Sequence, residues 1–67
     1  MKYAKLRGAI RERFGTQRAF AKAMGLSLSA LNQKLCGRAG WSIKDVETAI
    51  GLLDIHADEI PAYFFTS

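Results

Sequence analysis

The chain has 67 residues, a net charge of +4, 49% hydrophobic residues and one cysteine, Cys36. A chain this short has room for one domain, spanning residues 1–67, with a thin core, since it buries only about 60% of its unfolded surface. No apolar run approaches the ~18 residues that a membrane span needs, no apolar block marks a signal peptide, and a lone cysteine forms no intramolecular disulfide, so a cytoplasmic protein with no membrane partner is expected.

Residues 3 to 14 read as a first helix, with Leu6, Ile10 and Phe14 recurring every four residues on its buried face. Gly15 ends it. Thr16 is the expected N-cap of a second helix that opens at Gln17, where unpaired N–H groups and a positive dipole end suit a phosphate. Phe20, Ala21 and Met24 form the apolar line of this helix, and Gly25 follows where a left-handed residue would close it. Ala21 is small enough to let another helix cross closely.

Gly25-Leu26-Ser27 is a tight turn. Ser27 is an N-cap and Leu26 can staple to Leu31, so a third helix is expected over about Leu28 to Leu35. Leu31 and Leu35 then face inward, leaving Leu28, Ser29, Asn32 and Gln33 on other faces. Gly37 closes this helix, with Lys34 and Arg38 near its carbonyl end, where cations are favourable without any ligand. Cys36 is expected to be a small buried hydrophobe.

Ser42 is the expected N-cap of a fourth helix, with Asp45 completing a capping box and Trp41 able to staple to Val46. Ile43, Val46, Ile50 and Leu53 are assigned to its buried stripe. Gly51 inside it suggests the close approach of another element, and Asp54 can take the left-handed closing conformation. His56 reads as the cap of a short fifth helix from 57 to about 60, held to a single turn because Pro61 disfavours a helical Ile60. Tyr63, Phe64 and Phe65 either complete the core or form a subunit contact.

Charge is unevenly distributed along these elements. All ten Lys and Arg fall within residues 1–44 beside one acid, Glu12, whereas residues 45–67 hold the other five acids and no Lys or Arg. One basic face is expected, the electrostatic footprint of a nucleic-acid partner. There is no paired-carboxylate constellation, no metal-ligand spacing and no phosphate-cradling glycine loop, so no catalytic residue, metal, cofactor or small-molecule substrate is expected, and the chain is read as a non-enzyme.

Gln17, Ala21, Gly25, Leu31 and Gly37 stand at the signature spacing of the Cro and phage-repressor class of helix-turn-helix proteins, which the chain resembles over nearly all of its length. The tail EIPAYFF is similar to that of short regulators from phages and prophages of Gram-positive bacteria. Two positions depart from the pattern: Leu28 stands where relatives often have a base-reading glutamine, and Asp54 where glycine is common. The resemblance implies an all-α, compact five-helix lambda-repressor-like domain with its motif at residues 17–37. It also implies a sequence-specific regulator of transcription of the short Cro type, binding double-stranded operator DNA as a homodimer in the bacterial cytosol or a phage-infected host.

In that reading the third helix lies in the major groove. Gln33 and Asn32 can pair with adenine, Ser29 with several bases, and Leu28 either presses on a thymine methyl or packs back onto protein. Phosphate contacts are implied for Thr16, Gln17, Ser27, Lys34, Arg38 and Lys44. A protein-binding module or antitoxin built on the same fold is the alternative, since fold does not dictate function.

Overall fold

The computed structural model describes residues 2–65. Five α-helices follow in order: α1, Ala4–Phe14; α2, Gln17–Met24; α3, Leu28–Leu35; α4, Ile43–Leu53; and α5, Ile60–Phe64, which a 3-10 turn at Ala57–Glu59 introduces. No strand occurs among the described residues, and no helix there is long and apolar enough to cross a membrane.

The helix limits follow from local chemistry. Thr16, Ser27 and Ser42 each accept a hydrogen bond from the backbone N–H three residues on, at 3.1, 3.0 and 3.0 Å. These bonds satisfy donors that a helix start would otherwise leave unpaired. Asp45 closes the reciprocal half of the box by accepting from the Ser42 N–H at 3.1 Å. Gly25 takes φ +75° and lets the Leu26 N–H reach back to the Ala21 carbonyl at 2.8 Å, closing α2 in a Schellman turn. Asp54 closes α4 in the left-handed conformation, φ 55° and ψ 47°, without a glycine.

The buried lines of the helices meet in one core of Leu6, Ile10, Phe20, Ala21, Leu31, Leu35, Ala49, Leu53, Ile55 and Phe64. Each large member contributes about 1.5–3 kcal/mol by leaving water. α1 packs against α2, α4 and α5, while α2 packs against both α3 and α4. Phe14 meets Phe20 edge to face at 5.2 Å, and Trp41 bridges Phe64 at 5.2 Å and Tyr3 at 6.1 Å, which ties the C-terminal helix to the loop before α4.

Three expectations are corrected. Ile43 is 81% exposed and does not belong to the α4 core stripe. At ~100° per residue it is rotated about 90° from the line through Val46, Ala49 and Leu53. Ala49 is instead the fully buried member of that line. Gly51 is exposed, with open space where a side chain would begin, so no close approach explains it. Ile60 is helical, φ −52° and ψ −45°. Pro61 falls in the first turn of α5, where its missing N–H costs no hydrogen bond, and α5 therefore continues to Phe64. Of the terminal aromatics, Phe64 is buried and Tyr63 packs against the core, while Phe65 stays 74% exposed.

Candidate docking face on helix α3

α2 and α3 are joined by the turn at Gly25, Leu26 and Ser27, and the buried pair Leu31 and Leu35 sets the rotation of α3 about its own axis. With that seam inside, Ser29, Asn32, Gln33 and Cys36 fall within an arc of about 100° on the opposite side. All four are exposed. Together with half-buried Leu28 and exposed Arg38 they line one open concavity that contains no carboxylate. The small polar row expected from the spacing is therefore brought together and turned outward.

Arg38 reaches this face because of how α3 ends. Gly37 takes φ +80°, and the Arg38 and Ala39 N–H groups both donate to the Gln33 carbonyl, at 2.9 and 3.1 Å. The chain reverses there and lays residue 38 beside residues 32 and 33. The same reversal corrects the expectation for Cys36, which is exposed. Leu35 occupies the inward position, so the residue after it rotates towards solvent.

The expected phosphate-contact residues divide into distinct groups. Thr16 and Ser27 stand exposed at the starts of α2 and α3 with their oxygens engaged as caps, and Gln17 is half-buried at the first position of α2. Arg38 and Lys44 are exposed, Lys44 in the first turn of α4. Lys34 is different. Its ammonium donates to the Gly40 carbonyl at 3.0 Å and to Asp45 Oδ2 at 2.8 Å, and lies 5.8 Å from the centre of the Trp41 ring. Only 15% of the Lys34 side chain is exposed, so its charge has an internal partner rather than a free outward position. The Lys34 ammonium holds the Asp45 carboxyl below the usual carboxylate range, helped by the Ser42 N–H and hydroxyl and opposed by partial burial.

Other cations are engaged as well. Arg7 donates to the carbonyls of Lys2 and Leu35, Arg13 pairs with Asp54 at 3.3 Å, and the Lys5 ammonium lies 4.7 Å from the centre of the Tyr63 ring. The sequence reading missed these roles. Lys34 and Asp45 are eleven positions apart, and Arg7 and Leu35 twenty-eight, distances at which no helical period or capping rule operates. The capping box was the one available signal, because it places Asp45 in a fixed orientation with acceptor capacity to spare.

Comparison with known proteins adds two findings. A family described as "Protein of unknown function (DUF739)" matches residues 1–67. The solution structure of the modulator of repression (MOR) of the temperate bacteriophage TP901-1 from Lactococcus lactis is 38% identical, with 97% of this chain and 88% of that chain covered and a TM-score of 0.87. No curated protein matches.

Proposed function

The chain belongs to the DUF739 family of proteins of unknown function, and from that membership, with the likeness to a phage modulator of repression, we propose that it is a small phage-type regulator that binds double-stranded DNA through α3. The observation that carries this reading is the outward row of Ser29, Asn32 and Gln33 on α3, joined by Arg38 in one concavity free of carboxylates. Gln33 and Asn32 offer the paired donor and acceptor that match the major-groove edge of adenine, Ser29 adapts to several bases, and Leu28 at the rim can meet a thymine methyl.

Affinity then comes from groups that hold the strands on either side. Arg38 and Lys44 supply exposed cations. The first turn of α2 supplies N–H groups beside Gln17, and the cap hydroxyls of Thr16 and Ser27 retain a proton to donate to a phosphate oxygen. Lys34 is left out, since moving it to a phosphate would strip Asp45 of its partner. Homodimeric binding to a two-fold operator belongs to the same reading, with half-sites about 34 Å apart.

Selection of bound duplexes from a random pool, followed by binding across salt concentration, tests this. An enriched consensus, bound with an affinity that falls steeply as salt rises, supports the proposal. Failure to enrich any duplex sinks it. The second reading is a protein-docking module, favoured by the 81% exposed Ile43 beside Lys44, an apolar side chain with little to meet on a phosphate backbone. Salt-insensitive binding to a protein partner, with no shift of any duplex, would support that alternative.

A further inference from the structure

We propose that Lys34 and Asp45 are a positioning pair, which sets the distance between the base-facing end of α3 and the cations that flank it. The proposal rests on the DNA-binding reading above and adds a residue role to the same face. One ammonium joins three segments: Lys34 on α3, Gly40 in the following loop and Asp45 on α4. Asp45 Oδ2 also accepts the Ser42 N–H, so the start of α4 is fixed by the same oxygen. On the other side of the loop, the Arg38 and Ala39 N–H groups converge on the Gln33 carbonyl. Residues 38–42 are thus bracketed at both ends, and the bracket lies between Gln33, which faces outward, and Arg38 and Lys44, which flank it.

The geometry assigns the pair to placement of this loop rather than to the core. Lys34 and Asp45 are 15% and 22% exposed at their side chains, and neither belongs to the buried cluster. Removing either partner leaves the other charge half-enclosed and unpaired, so the loop has reason to move away. Arg38 and Lys44 then shift relative to Gln33 while the helices remain. A Lys34 that touched phosphate directly would behave differently, because its loss would remove one released counterion.

The test compares wild type with Lys34→Met, Asp45→Asn and the double variant, each checked for helical content by circular dichroism. Binding to the selected consensus and to random duplex is measured across salt, and amide hydrogen exchange is followed without DNA. Asp45→Asn removes a negative charge, so simple electrostatics would tighten DNA binding. The positioning pair instead weakens consensus binding roughly tenfold, leaves random-duplex binding and the salt slope unchanged, and makes the double variant no worse than either single. Exchange speeds up in residues 38–42 and stays slow at Ile10, Phe20 and Leu31.

Tighter or unchanged consensus binding by Asp45→Asn overturns the proposal, as does a salt slope reduced by about one in Lys34→Met. Unchanged exchange in residues 38–42 overturns it whether or not DNA binds. A wild type that binds no duplex but shows the faster loop exchange in both variants retains the pair as the loop's fastener and removes the DNA-binding reading instead.

Discussion

The Arg7 guanidinium donates to the Leu35 carbonyl at 3.0 Å, which places a cation from α1 at the carbonyl end of α3. The last carbonyls of a helix lack intrahelical partners, and a positive charge there also meets the negative end of the helix dipole. Arg7→Met should lower stability by about 1–2 kcal/mol in urea titrations. Arg7→Lys should recover only part of this, because one ammonium cannot serve the Lys2 and Leu35 carbonyls with the geometry of a planar fork. Superimposable urea curves for wild type and Arg7→Met would mean the contact contributes nothing.

The glycines should respond to alanine with opposite signs. Gly51 lies inside α4 with open space around it, so Gly51→Ala should stabilise by about 1 kcal/mol. Gly25 closes α2 at φ +75°, and Gly25→Ala should cost about 1–2 kcal/mol. Thermal melts should show one midpoint rising and the other falling, each by several degrees.

The adjacent terminal aromatics should separate cleanly. Phe64 is 5% exposed and meets Trp41 edge to face, so Phe64→Ala should cost about 3–5 kcal/mol. Phe65 is 74% exposed, and Phe65→Ala should stay within about 0.5 kcal/mol of wild type in dilute solution. A large loss at Phe65 under these conditions would contradict the packing described here.

Acid should weaken the fold partly through Asp45. Its carboxyl titrates lower in the folded chain than the ordinary 3.8, owing first to the Lys34 ammonium. The stability it contributes is therefore present above the unfolded value and is lost as pH falls through the folded one. The stability gap between wild type and Asp45→Asn should be constant near neutral pH and shrink as the pH drops through 3.8 and below. A gap that is insensitive to pH would show that the ionised form of Asp45 is not the stabilising one.

On the proposed DNA-binding reading, Gln33→Ala should cost roughly 1–3 kcal/mol at the selected sequence and relax preference at one base pair. Arg38→Ala should weaken all duplexes alike and flatten the salt dependence by about one unit of slope. Electrophoretic mobility shifts against the consensus and its single-base variants distinguish the two patterns. An equal loss on random DNA for Gln33→Ala would contradict a reading role.

Most helix ends were legible because their causes are local. Thr16, Ser27 and Ser42 reach an N–H three residues away, and Gly25 and Asp54 close helices through their own backbone angles. The outward row on α3 was equally legible, since Leu31 and Leu35 fix which side is inside and the 3.6-residue repeat places Ser29, Asn32 and Gln33 on the other. Ile60 is helical against the bias imposed by Pro61 because that bias is a local preference, and placing Phe64 in the core outweighs it.

What only the tertiary structure decided is which charged and apolar side chains remain free. Composition marks Lys34 and Arg38 alike as cations near the end of one helix, yet Lys34 turns inward to Asp45 while Arg38 stays in solvent. Phe64 and Phe65 are adjacent and alike in chemistry, yet one is enclosed and the other wet. Local hydrogen bonding and helical period act over a few residues and are written in the sequence. Burial and ion pairing depend on which distant segment arrives opposite, and that is set only when the five helices close on one another.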